Sequence, residues 1–295
     1  MRFRARGIYP AVATPLSGRE EVDVERLRAH INYLLECGVH GIVSLGCTGE
    51  AALLSREEQR RVLSISIETV DGKVPVIVGT GAVSTEQTVD LTREAKDEGA
   101  TAALIITPYF MIPSPEGVFE HYKAVNDSVD LPIFLYNLPQ HTTINIDPST
   151  VARLAELENV VGIKDSSGNM GQLAQIIKSV GDKISVFTGC DDLLFPCFMM
   201  GAVGAIIALG NIAPSEAVAI YNAVQDGEID EARRVYYQIL PIARAIGAAH
   251  NFPAQVKEAL EMLARPVGPT KKPIASLTAE ERKEIKEALK ESELL

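Results

Sequence analysis

The chain has 295 residues, is 46% hydrophobic and carries a formal net charge of −11. That apolar share supplies a large core, yet no apolar run reaches the ~18–20 residues a membrane-spanning helix needs. The acidic balance repels phosphate backbones and argues against a nucleic-acid partner.

At the N-terminus, MRFRARGIYPAVATP carries arginines but no apolar stretch followed by a small-residue cleavage site. No signal peptide is expected, and the expected compartment is the cytoplasm. The first strand signal is the apolar run 8–14. A helix is expected from Asp23 to Gly38, then a strand over 41–46 and a glycine-bracketed turn, LGCTGEA, over 45–51. Ser55 followed by Glu58 forms a capping-box signature for the next helix. After the strand run 74–80, Ser84 and Gln87 repeat that device, and Gly99 marks the helix stop. Strand runs follow at 102–108 and 131–137, then a helix start at Asp147–Pro148. Three more runs, 160–165, 184–189 and 204–210, complete eight. Continuous apolar runs bounded by Gly or Pro suit strands buried on both faces of a parallel sheet.

Eight β-α units in one composition regime predict a (β/α)₈ TIM barrel rather than an open doubly wound sheet. Beyond the eighth unit, helices are expected near 214–226, 229–249, 254–264 and 278–292, with a loop at 265–273. The domain reading is a barrel over residues 1–228 carrying the active site. A helical extension over 229–295 would pack on the barrel or on a neighbouring subunit. The four cysteines, Cys37, Cys47, Cys190 and Cys197, form no CxxC pair and no zinc-finger spacing with histidine. They are expected to be reduced and mostly buried. His30, His40, His121 and His250 are scattered and suggest no metal site.

Active sites of such barrels lie at the C-terminal ends of the strands. Lys73 and Lys183 precede strands, whereas Lys164 closes the run VVGIKD. Burial in an apolar wall disfavours the ammonium and makes a lysine nucleophilic. Lys164 is thus a candidate Schiff-base lysine, against the plainer reading of an exposed or ion-paired strand end. Tyr136 ends the neighbouring strand, where its phenol could relay protons or simply pack. The turn after strand 2 could offer backbone N–H groups and the Thr48 hydroxyl to a carboxylate, or be an ordinary tight turn. His141 lies just past strand 5, and Ile206 sits near the barrel mouth.

The ordered set GCTGE, TPYF, YNLP, GIKDSS and GCDD closely resembles the dihydrodipicolinate synthase/N-acetylneuraminate lyase family over roughly residues 7–290. The resemblance implies a (β/α)₈ barrel with additional C-terminal helices and a class I pyruvate-dependent aldolase. It implies a homotetramer built as a dimer of dimers. It places Lys164 as the Schiff-base lysine and Tyr136 as the general acid/base. Thr48 and the Cys47 N–H would hold the pyruvate carboxylate, with Gly189 and Ile206 lining the pocket. No metal or organic cofactor is implied, because the lysine imine is the electron sink.

Three positions depart from the family pattern. Cys47 stands for a hydroxyl residue of the proton relay, and a thiol is a weaker donor and acceptor. Phe110 stands for a tyrosine that reaches a neighbouring subunit's site. His141 stands for the arginine that clamps the second substrate's carboxylate, which an imidazole replaces poorly. The missing arginine points first to cleavage of a 2-keto-3-deoxy sugar acid, such as 2-keto-3-deoxygluconate, into pyruvate and an aldehyde. The alternatives are dihydrodipicolinate synthesis from pyruvate and aspartate semialdehyde, dehydration of a 2-keto-3-deoxy sugar acid, and a non-catalytic barrel that binds a 2-oxo acid.

Overall fold

The computed structural model describes residues 3–247 and 251–295. His250 and the last two residues of the helix expected over 229–249 lie outside the described residues.

In chain order the elements begin with β1 (Gly7–Pro10), α1 (Val24–Glu36), β2 (Ile42–Ser44), α2 (Arg56–Val70), β3 (Val76–Gly79) and α3 (Thr85–Asp97). Then come β4 (Ala102–Ile106), α4 (Pro115–Ser128), β5 (Ile133–Asn137), α5 (Pro139–Thr142) and α6 (Pro148–Leu154). β6 (Val160–Asp165), α7 (Met170–Val180), β7 (Ser185–Thr188), α8 (Leu194–Met199) and β8 (Gly204–Ile207) complete the alternation. Four further helices follow: α9 (Pro214–Gln225), α10 (Ile229–Gly247), α11 (Ala254–Met262) and α12 (Ala279–Glu291).

The eight strands form one sheet in the order β1-β8-β7-β6-β5-β4-β3-β2. The ladders from β3 to β8 are parallel, and an Ala11–Val43 bridge joins the strands at the two ends of that order. The fold is therefore the expected eight-stranded parallel barrel with helices between the strands and additional C-terminal helices. Helix starts follow the local signals. Ser55 and Glu58 cap α2 reciprocally, and the Asp147 carboxylate accepts from the N–H groups of Ser149 and Thr150 at the start of α6.

Every strand except β6 is shorter than its apolar run, and at β1 and β8 the contacts that end the strand are visible. β1 stops at Pro10, and the Ala13 N–H then donates to the Asn211 side chain (3.0 Å) instead of to a strand. β8 stops at Ile207 because residues 209–211 turn into a 3₁₀ helix. Among the described residues no helix is long and apolar enough to cross a membrane.

The chain clusters into two compact units, one of residues 1–7 with 77–206 and one of residues 8–76 with 207–295. In the first unit, large and glycine positions alternate across neighbouring strands. Phe134 pairs in register with Gly162, and Phe187 with Gly204. A Cβ at Gly162 would lie 2.3 Å from the Phe134 ring, and one at Gly204 would lie 2.5 Å from the Phe187 ring. The two rings meet edge to face at 5.5 Å. Side chains two residues apart share a face of a strand. This packed layer therefore sets the face on which Tyr136, Lys164, Gly189 and Ile206 follow.

In the second unit, Asn211 is fully buried and ties the segment after β1 to the chain beyond β8. Its amide donates to the Ala11 and Ala208 carbonyls (both 2.8 Å), and its oxygen faces His30 Nε2 at 2.9 Å. Arg265 donates to the Asn211 and Ile212 carbonyls and lies 4.4 Å over the Tyr33 ring.

Burial depresses two imidazoles, that of His30 in this network and that of His121 in the first unit, each from 6.5 to about 4. Between those values the unfolded chain binds the proton and the folded chain does not, so stability falls as pH falls from 6.5 toward 4. At about 1.4 kcal/mol per pH unit, each histidine contributes about 3 kcal/mol of that loss. His121→Gln is expected to flatten the stability–pH curve over this window. A chemical-denaturation series from pH 7 to pH 4 measures it, and a slope equal to the parent's would refute the assignment.

Candidate active site

Lys164 and Tyr136 are direct register partners on β6 and β5. The Lys164 Nζ lies 4.2 Å from the centroid of the Tyr136 ring, a cation–π distance. Both side chains are buried, Lys164 being only 6% exposed. Burial sets Lys164 apart from the exposed lysines near the other strands. Lys183 is ion-paired with Glu156 at the surface, and Lys73 is exposed.

Gly189 follows β7 and presses directly on the lysine. A Cβ there would sit 2.5 Å from Lys164 Cε and 2.0 Å from Ser166 Oγ. The Gly189 N–H donates to the Asp165 carbonyl (2.8 Å), so the backbone cannot retreat without breaking that bond. Gly189→Ala is expected to leave the fold intact and lower kcat/KM by ~10²-fold, the scale of a misplaced reacting group. Steady-state kinetics beside a melting curve checks this, and parent-like kcat/KM would show that the lysine tolerates the push.

Ser166 is a residue that the motif reading passed over. It is buried, and its hydroxyl has no hydrogen-bond partner. A buried hydroxyl without a partner is costly, and such a group is a ready donor or acceptor for a bound molecule. The available signal was its place two residues after Lys164, which puts it on the same face.

The residues between these face the other way and fix the strand ends. Asn137 is fully buried and donates to Asp165 Oδ1 (2.8 Å) and Asn145 Oδ1 (2.9 Å), while its oxygen accepts from the Ile146 N–H (2.9 Å). Asp165 also accepts from the Ser167 hydroxyl (2.9 Å). Asn145 and Gln172 exchange amide hydrogen bonds at 2.8 and 3.0 Å. This network joins the end of β5 to the end of β6, which carry Tyr136 and Lys164.

His141 sits exposed on α5. Partial burial and the positive charge of Lys164 lower its imidazole below the usual 6.5. Ile206 is fully buried on β8. Phe110 takes no part in this cluster: it is 88% exposed with φ 72°, next to the exposed Met111 and Ile112. Only Cys197 of the four cysteines is buried; the others are partly exposed, a correction to the expectation of mostly buried thiols. Cys190 and Cys197 are still largely shielded, which pushes their thiols up to about 12 and about 11.

The turn after β2 belongs to the second unit. Thr48 is buried and Cys47 half-buried. Two non-glycine residues with left-handed backbone bracket the turn, Leu45 and Glu50, both at φ 57°. Inside it, the Glu50 N–H donates to the Cys47 carbonyl (3.0 Å), and the Thr14 hydroxyl donates to the Gly49 carbonyl (2.7 Å). The turn follows the C-terminal end of β2, the end of a strand at which such barrels react. Among the described residues no group of three or more His, Cys, Asp or Glu side chains could hold a metal ion.

The dihydrodipicolinate synthetase family model matches residues 4–292. The 4-hydroxy-tetrahydrodipicolinate synthase of Methanothrix thermoacetophila is 40% identical over 285 residues, covering 96% of each chain. That of Methanocaldococcus jannaschii is 38% identical over 291 residues, covering 98% of this chain and 99% of the relative. The solved dihydrodipicolinate synthase of Thermotoga maritima superposes with a TM-score of 0.96 at 33% identity, covering 99% and 100% of the two chains. A structure described as the first monomeric dihydrodipicolinate synthase variant superposes at 0.95 with 34% identity, covering 98% and 97%.

Proposed function

We propose that this chain, which belongs to the dihydrodipicolinate synthetase family of pyruvate-dependent class I aldolases, joins pyruvate to an aldehyde through a Schiff base on Lys164. The observation that carries this reading is the buried Lys164 side chain, its Nζ 4.2 Å from the centroid of the Tyr136 ring. The neutral amine attacks C2 of pyruvate, and the carbinolamine loses water to give a protonated imine. That cation withdraws electrons from C3, so a C3 proton leaves and an enamine forms. The enamine carbon attacks the aldehyde, and hydrolysis of the imine frees the product and the lysine. Tyr136 moves the protons of the carbinolamine and of the new alkoxide. Thr48 and the Cys47 N–H hold the carboxylate, and Gly189 and Ile206 bound the pocket. The imine supplies the electron sink without a metal or organic cofactor.

For the acceptor, the names of the relatives favour aspartate semialdehyde and the synthase direction. This reverses the order read from the sequence, in which sugar-acid cleavage came first; the relatives lend that reading no support. It survives as a second reading through His141 alone, an imidazole where a carboxylate clamp would need a guanidinium. Ser166, with its partnerless buried hydroxyl, suits either acceptor.

We further propose residues 229–295 as a helical extension of a barrel domain over 1–228, a cytoplasmic setting and a homotetramer. The apolar loop Phe110–Ile112, exposed in the single chain, suits a subunit contact.

Borohydride reduction in the presence of pyruvate, followed by intact mass and peptide mapping, tests the Schiff base. The expected result is one pyruvyl adduct on the peptide holding Lys164. A folded protein that binds pyruvate but traps no adduct would sink it. Turnover with aspartate semialdehyde set against cleavage of 2-keto-3-deoxy sugar acids then decides the acceptor.

A further inference from the structure

We infer that the buried Glu50–Lys257 ion pair positions the turn that receives the 2-oxo acid's carboxylate, which makes α11 a positioning element for substrate binding. The inference rests on the role proposed for Thr48.

The Lys257 Nζ lies 2.6 Å from Glu50 Oε1, with side chains only 4% and 1% exposed. Two charges withdrawn from water gain little net stability, because desolvation offsets their attraction. An apolar pair would fill the same space as well. What the ions add is direction. Glu50 is held at both oxygens, Oε1 by Lys257 and Oε2 by the Lys271 N–H (2.6 Å). Lys257 in turn donates to the Pro269 carbonyl (2.7 Å), and Lys271 pairs with Glu58 at the capped start of α2. The tail segment 269–271 is thus clamped to both ends of the stretch from the turn to α2.

The turn needs such a clamp. Glu50 stands two residues after Thr48, in a left-handed conformation that costs a non-glycine residue strain unless its surroundings impose it. Gly49 is confined on its other side: a Cβ there would sit 3.0 Å from the Val12 carbonyl oxygen. With the Glu50 side chain released, the backbone relaxes toward ordinary φ and carries the Thr48 hydroxyl and the Cys47 N–H with it. Neither residue of the pair touches the reacting atoms in this account. Both act through the geometry of residues 47–49.

The test is the double variant Glu50→Gln/Lys257→Met. It removes both charges together, keeps an acceptor for the Lys271 N–H and leaves no lone buried charge. The expected result is a pyruvate KM raised by about 10-fold or more with kcat within about 2-fold, the signature of lost uniform binding. A merely structural pair would lower the melting temperature and leave the KM of the folded enzyme unchanged, and that result overturns the inference. Should the double variant not fold, Glu50→Asp keeps the charge but shortens its reach. A KM raised by about 3-fold or more then supports the inference, and a parent KM overturns it. Thr48→Ala separates this from the reading beneath it. If its pyruvate KM rises while the pair variants stay at parent values, the carboxylate site stands and the positioning role falls. If Thr48→Ala keeps the parent KM, the carboxylate site falls and takes the inference with it.

Discussion

Lys164→Ala is expected to lower kcat by a factor on the order of 10⁴–10⁶, the scale seen when a covalent nucleophile is removed. Borohydride with pyruvate is expected to add no mass to the variant. The fold should survive, because the lysine is held by β-ladder pairing on both sides, to Tyr136 and to Phe187, and alanine keeps that backbone. Lys164→Arg should be equally inactive: it keeps a cation near the Tyr136 ring, but a guanidinium does not deprotonate. Together the two variants separate loss of the nucleophile from loss of the charge. Turnover within about 10-fold of the parent in either folded variant would move the chemistry to another residue.

Tyr136→Phe is expected to lower kcat by about 10²–10⁴, the usual contribution of a positioned acid/base. The ring that lies against Lys164 remains, so the site keeps its packing and the trapped adduct should still form, only more slowly. The effect should fall at the upper end of that range. By the family resemblance, Cys47 and Phe110 stand where the relay carries hydroxyl groups, and on that reading fewer groups can substitute for the lost phenol. Single-turnover trapping followed by mass spectrometry resolves adduct formation from steady-state turnover. Equal slowing of both would place Tyr136 at carbinolamine formation. No slowing of either would make it a packing residue. Restoring hydroxyls with Cys47→Thr is the complementary experiment, with a gain in kcat expected if the relay limits the rate.

The two central residues of the candidate site were legible because they stand at the ends of strands. Apolar runs bounded by glycine and proline mark buried parallel strands, and a lysine closing one of them lies on the reactive face by the rule of the fold. That rule and strand order made Lys164 and Tyr136 candidates, and the family resemblance supplied the roles. Ser166 was hidden among the polar residues of KDSSG, where neighbouring side chains point to opposite faces and look alike in one dimension. Gly189 was identified through the family motif. Its physical role, leaving room for Lys164 Cε, emerged only when β6 and β7 were laid side by side. His141 kept its place near the lysine's field, whereas Phe110 stands in solvent on the single chain.

The sequence by itself determined the alternation of strands and helices, the barrel, the capped helix starts and the lysine at the end of β6. All of these rest on local signals: a continuous apolar run bounded by glycine or proline, a cap three residues from its partner, and the count of the units that repeat them. Tertiary structure alone decided which remote groups meet. Asn211 closes on the backbone beyond β1, Glu50 pairs with Lys257 and Lys271, and Gly189 yields its Cβ space to Lys164. Such pairings depend on the path of the whole chain in space, and no local periodicity encodes the distance between two charges that the fold buries together.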